Sequence, residues 1–136
     1  KKFFDLLGLL VLFMIFVFVV ILLIGAFFGK DLMLIVFGEQ FNLASILLPL
    51  LLFSMLFILP NYILTQGAIS INKEISYAKI VVFVALLNVG LNAWLIPDYG
   101  AMGAAWATIF SEGVLFFGLV YVMLREYIGK KSANWS

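Results

Sequence analysis

LNVGLNAWLIPDYGAMGAAWATIFSEG, from Leu87 to Gly113, is the stretch whose reading decides the fold. An oily run carries Asn88 and Asn92, stops at Pro97-Asp98-Tyr99-Gly100 and restarts on Gly103, Ala104, Ala105 and Ala107. A second oily run then places Glu112 near its middle. Pro97 lacks an N–H and biases Ile96 away from helical geometry. Proline with Asp and Gly beside it favours a tight reversal. The stretch therefore reads as two apolar helices joined in an antiparallel hairpin. Gly103, Ala107 and Ser111 recur at every fourth residue. They form a smooth stripe on the second helix that lets another helix approach closely, and Gly118 continues roughly the same face.

Working outward, the whole chain is built of such runs. It is 66% hydrophobic and 11% charged, with a mean hydropathy of +1.25. Soluble domains average about 45–50% apolar and about 25% charged residues. Crossing the hydrocarbon core takes about 20 mostly apolar residues. Four segments qualify, at about 6–28, 43–66, 77–96 and 103–124. The runs are long and show no period-2 alternation, so they predict helices and not barrel strands. The first run is too long for a signal-peptide core of about 7–15 residues and reads as a true span. The chain starts on Lys1-Lys2 without Met, and is expected to be a piece of a longer protein. The apolar but short link KDLMLIVFGEQF predicts a short interfacial helix or re-entrant turn broken at Gly38. GAISINKEIS, residues 67–76, reads as a polar loop with a solvated Lys73-Glu74 pair, and the tail REYIGKKSANWS as a polar end that frays.

Seven of the eight Lys and Arg residues fall on one side of this arrangement: Lys1, Lys2, Lys73, Lys79, Arg125, Lys130 and Lys131. Lys30 alone falls on the other. The positive-inside rule then puts both ends and the Lys73 loop in the cytoplasm and the Pro97 hairpin outside. Trp94, Tyr99 and Trp106 bracket the outer interface, while Tyr77, Tyr121 and Tyr127 lie toward the inner one.

Composition also removes classes of function. With no Cys and no His, thiolate metal sites, the usual zinc constellations and imidazole acid–base catalysis are excluded. Nothing basic clusters beyond the flanks of the apolar runs, so no nucleic-acid partner is expected. No cofactor or metal is called for.

Glu112 is the most costly residue. A charge near the bilayer centre costs about 2.5–3.5 kcal/mol or more and faces a bundle interior, a water-filled cavity or a partner. Thr108 lies one turn above it on the same face. Asn88 and Asn92 share a face of the preceding helix. Counted from the Pro97 turn, Asn88 and Glu112 both lie about 13–15 Å down at about 1.5 Å per residue. Glu112, Thr108, Asn88 and Asn92 are thus the candidate polar lining of a transport cavity, and a polar seam between these two helices is the expected geometry. A helix–helix hydrogen bond without transport is the simpler account of the two asparagines. Pro49 and Pro60 free the carbonyls of Ser45 and Leu56 and bend the second span, with Asn61, Thr65 and Gln66 at its inner end.

The motif in Leu87–Glu112 resembles a pattern of the polysaccharide-exporter branch of the MATE-like flippase superfamily. That pattern is an Asn-rich helix, then Ile-Pro-x-Tyr-Gly-x-x-Gly-Ala-Ala-x-Ala-Thr, then Ser-Glu. In this chain it falls on Pro97, Tyr99, Gly100, Gly103 and Ala107. FGEQF, residues 37–41, is similar to the family's Phe-Gly-x-x-Phe stretch. The resemblance covers nearly the whole chain, and similar hairpins occur in both lobes of the family. It implies an all-α inner-membrane protein of which this chain is four spans of one lobe, the C-terminal one by overall pattern. The two lobes would surround a central cavity. It also implies transport of lipid-linked oligosaccharide, typically on undecaprenyl pyrophosphate, from inner to outer leaflet. Membrane lipids and the remaining lobe would be partners, and polysaccharide, O-antigen or lipopolysaccharide assembly the setting.

Four rivals are set against this. A multidrug or cation antiporter of the related MATE type shares the architecture. A small four-helix multidrug exporter calls for a glutamate in the first span, where no carboxylate follows Asp5. A membrane-embedded transferase calls for His or clustered carboxylates at the interface. A scaffold subunit needs no intramembrane Glu.

Overall fold

The computed structural model describes residues 2–38 and 42–133. Lys1, the Glu39–Phe41 part of FGEQF and the last three residues of the tail lie outside the described residues. Four helices account for nearly all of the rest: α1 Lys2–Phe37, α2 Asn42–Ser70, α3 Glu74–Tyr99 and α4 Ala101–Ala133. Each contains a stretch long and apolar enough to cross a membrane. Helix is what such sequences require in lipid, because each backbone N–H and C=O finds its partner within the segment.

Chain order is not packing order. α1 packs on α2, α2 on α4, and α4 on α3, while α2 and α3 touch only slightly. The helices form a row, α1–α2–α4–α3. The two central helices run parallel to each other, because α3 crosses back between them on the far side of α4. Val11 of α1, Leu64 and Ala68 of α2, and Leu119 and Met123 of α4 form a buried cluster toward the end that carries Lys73. The broad faces of the row remain apolar and exposed, as at Phe27, Phe83, Trp94 and Phe117.

The ends of the elements correct the sequence-based expectations. The link after residue 28 is not a separate interfacial helix. α1 continues through it to Phe37 and ends at Gly38, where φ is +78°. Gly29-Lys30-Asp31 interrupts the apolar run but holds no proline, so the helix runs on to Gly38, a residue that adopts left-handed geometry freely. The polar loop is also shorter than expected. α2 extends to Ser70, and the turn closes with the Lys73 amide donating to the Ala68 carbonyl at 2.9 Å. Lys73 forms its ion pair with Glu126 of α4, at 2.8 Å, and not with its neighbour Glu74. That contact and the edge-on Phe4–Tyr127 ring pair anchor α4, which stays helical to Ala133 in a stretch expected to fray.

Pro97 does not end α3 at Ile96. The helix passes through it to Tyr99, and the reversal is made by Gly100 alone, with φ +55° and ψ −132°. Pro97 costs the helix the one bond its N–H would have given to the Ala93 carbonyl a turn back, and α3 ends two residues later, at Tyr99. The Gly100 amide recaptures the Ile96 carbonyl at 2.8 Å, and the Gly100 carbonyl accepts the first bond of α4 from Ala104. A side chain at this backbone angle would be strained. Pro49 and Pro60 likewise lie inside a helix that continues past both.

A polar pair at the centre of the row

The small-residue stripe of α4 faces α3. A methyl group placed on Gly103 would collide with the backbone of Leu95 and Ile96. Ala107 and Ser111 are buried on the same side. Close approach brings Asn88 of α3 onto this stripe: its amide donates to the Ser111 hydroxyl at 3.1 Å and, at the limit of bonding range, to the Ala107 carbonyl at 3.4 Å. Asn92 donates to both the side-chain and the backbone oxygen of Asn88, each at 2.9 Å. The chain Asn92–Asn88–Ser111 is the polar seam between α3 and α4.

Glu112 is not part of that seam, contrary to the expected pairing with Asn88. Successive residues on a helix point about 100° apart. Once Ser111 faces α3, Glu112 must face the next neighbour, α2. There the Asn61 amide donates to a carboxylate oxygen of Glu112 at 2.8 Å and to its backbone carbonyl at 3.0 Å. Thr108 lies one turn from Glu112, but its hydroxyl donates to its own helix, to the Ala104 carbonyl at 3.0 Å. The four candidates therefore divide. Asn88 and Asn92 come together with Ser111, Glu112 joins Asn61, and Thr108 is satisfied locally.

Asn61 and Ser111 are the residues the sequence reading did not place in a site. Ser111 was visible only as a small residue, and its hydroxyl becomes an acceptor because α3 comes close. Asn61 carried a signal in retrospect: it is a polar residue immediately after an intrahelical proline, in an otherwise apolar span. It is 3% exposed, and Pro60 beside it is fully buried. Phe57 and Phe116, each one turn from the pair along its helix, meet in a tilted ring contact with centroids 6.0 Å apart. Glu112 itself is half-buried, so the carboxylate reaches an accessible face of the row.

The pair is incompletely satisfied. The side-chain carbonyl oxygen of Asn61 is buried and accepts no hydrogen bond from any described residue. An unmatched buried acceptor costs about 1–3 kcal/mol. Pro60 removes the N–H that would have bonded the Leu56 carbonyl one turn back. Among the described residues no three acidic, His or Cys side chains converge, so the donor set does not suit a transition metal.

These features define a multi-pass helical membrane segment with one carboxylate held in the plane of the row. No family model matches the chain. No solved structure matches it either. Among curated proteins, the chain is 34% identical over 99 residues to a probable low-salt glycan biosynthesis flippase of Haloferax volcanii, a match that covers 69% of this chain. It is 29% identical over 110 residues to a capsular polysaccharide biosynthesis protein of Staphylococcus aureus, covering 77% of this chain. The aligned part spans only 21% and 26% of the length of those two relatives. Two proteins of polysaccharide and glycan biosynthesis, one named a flippase, thus share the sequence of this segment at a distance.

Proposed function

We propose that the chain is part of one lobe of a two-lobe, MATE-like transporter in the cell membrane, and that the transporter moves lipid-linked oligosaccharide from the inner to the outer leaflet. Its mechanism is alternating access without covalent chemistry: one helical lobe rocks against the other around a fixed polar centre. Both ends of the segment and the Lys73 turn face the cytoplasm, where seven of the eight cationic side chains collect. The observation that carries the reading is the similarity to two glycan-biosynthesis proteins, in a chain that holds a carboxylate in the middle of a span.

In this reading Glu112 supports transport and does not bind the glycan headgroup. A carboxylate repels a pyrophosphate, so Glu112 takes a coupling cation or proton, or orients an Arg elsewhere in the protein. Its place between α2 and α4, the two parallel central helices, lets a change of charge alter how they pack. The test is complementation of a flippase-null strain by the full-length protein carrying Glu112→Gln, with membrane protein level measured in parallel. Gln keeps the shape and the bond to Asn61 but not the charge, so the variant is expected at normal level and without glycan export. Export at the wild-type rate would remove Glu112 from the mechanism.

A further inference from the structure

A groove runs between α1 and α4 at the end of the row that carries Lys73, far from the Asn61–Glu112 pair. Its floor is Val11, Leu64 and Met123 of the buried cluster, and the exposed Leu12 and Leu124 stand at its sides. Its volume is about 580 Å³, within the range of about 300–1,000 Å³ usual for small-ligand sites. Gly8 opens it on the α1 side, where a Cβ would meet nothing within 4 Å. From Phe4 to Leu12 it extends about 12 Å along the helix axis, at about 1.5 Å per residue. At its end Phe4 of α1 and Tyr127 of α4 meet edge-on, with ring centroids 5.5 Å apart. A helix is about 10–12 Å across with its side chains, so none sinks between walls that meet at this width. An alkyl chain is much narrower and fits. Apolar walls that face a gap lose their dispersion contacts, and an alkyl chain restores them.

Alkyl chains are common to all membrane lipids and are as apolar as the leucines here, so the head decides which lipid is held. Asp5 lines the same end of the groove, exposed, and forms no ion pair with any described residue. Lys2, three residues earlier on α1 and also exposed, carries the opposite charge at that end. We propose that the groove between α1 and α4 binds one acyl chain of a zwitterionic ethanolamine phospholipid, with the lipid ammonium on the Asp5 carboxylate and its phosphate toward Lys2. A glycerol phospholipid presents only negative charge to Asp5. A pyrophosphate-linked glycan lipid presents more, so the groove holds a resident lipid and not the transported one. The transport reading supplies only the leaflet, the cytoplasmic one; the binding itself is independent of transport.

The experiment uses the full-length protein, purified in detergent and delipidated. It is titrated with dioleoyl phosphatidylethanolamine or dioleoyl phosphatidylglycerol, and bound lipid is counted by native mass spectrometry. Wild type is expected to take its first ethanolamine lipid about threefold to fivefold more tightly than the glycerol lipid, the range of an exposed charge pair. Gly8→Leu fills the groove and is expected to weaken that first binding roughly tenfold for both lipids. Asp5→Asn, at an exposed position, is expected to keep chain binding and lose the preference between heads. Equal ethanolamine-lipid binding by wild type and Gly8→Leu would overturn the groove as the site. A preference that survives in Asp5→Asn would overturn the assignment of the head. Loss of folded Gly8→Leu protein would mean that another helix covers the groove, which also ends the proposal. Displacement of the ethanolamine lipid by an equal concentration of undecaprenyl phosphate would give the groove to the transported lipid instead. Normal glycan export by Glu112→Gln would remove Glu112 from the transport mechanism and leave this site standing.

Discussion

Gly103→Ala is the substitution whose outcome the packing fixes most tightly. A Cβ at this position would lie 2.7 Å from the Leu95 carbonyl carbon and 3.1 Å from the Ile96 nitrogen, and closer still to the Leu95 carbonyl oxygen. These are backbone atoms and no rotamer relieves them. The α3–α4 hairpin must open by roughly 1 Å at its tip to reach ordinary van der Waals separation. Overpacking of this kind costs about 1–3 kcal/mol. Opening also stretches the Asn88 contact to the Ala107 carbonyl, already 3.4 Å, beyond bonding range. Against this, Ala in a helix interior gains about 1 kcal/mol over Gly. The net expectation is a loss of up to about 2 kcal/mol. Gly90→Ala is the matched control, because nothing lies within 4 Å of its Cβ position, so it keeps only the gain. Gly67→Ala is an intermediate case: its Cβ meets the flexible tips of Leu7 and Met123 at 2.9 and 3.0 Å, which can rotate away. Thermal unfolding of the three variants in detergent, followed by loss of the monodisperse peak, ranks them. The expected order of midpoints is Gly90→Ala, then Gly67→Ala, then Gly103→Ala. A Gly103→Ala midpoint equal to that of Gly90→Ala would show that α3 does not approach α4 at the tip as described.

Three further outcomes follow from the same geometry. Single cysteines at Ser70 and Asp98, both exposed, are expected to label from opposite sides of intact cells, and same-side labelling would end the four-span topology. Asn88→Leu removes both contacts to α4 and leaves the Ser111 hydroxyl without its donor, so it is expected to cost about 1–2 kcal/mol in the same unfolding assay. Asn92→Leu is expected to cost less, since Asn92 bonds only within its own helix, and a reversed order would contradict the seam. Lys73→Ala and Glu126→Ala are each expected to lower stability by under about 1 kcal/mol, less at high salt, because the pair is partly exposed. A double-mutant cycle on that pair with coupling well above this value would show that it latches the row's end.

Much of the fold was legible because lipid leaves the backbone little choice. Four apolar runs of sufficient length mean four helices, and the Gly/Ala periodicity after Pro97 marked the face of α4 that a helix would meet. Legibility stopped at the ends of the helices. Whether Pro97 or Gly100 makes the reversal depends on which residue gives up its last helical bond, and the apolar pattern is silent on that. The candidate site was half legible. Glu112, Asn88 and Asn92 stood out as costly residues in spans, but Asn61 did not, lying beside Pro60 near what reads as a span end. Equal depth along a hairpin suggested that Asn88 and Glu112 would meet, and depth is a weaker constraint than direction.

The sequence by itself determined the class of protein, the number and approximate position of the spans, the bias of positive charge to one end and the residues whose burial has a cost. Each is a local property, set by transfer free energy and hydrogen-bonding capacity residue by residue. Only the tertiary structure decided the partners. The row order α1–α2–α4–α3 put two different helices on either side of α4, and the rotation of about 100° between Ser111 and Glu112 sent one to Asn88 and the other to Asn61. That choice depends on how closely α3 can approach Gly103, a contact between residues whose pairing no periodicity within a single helix specifies.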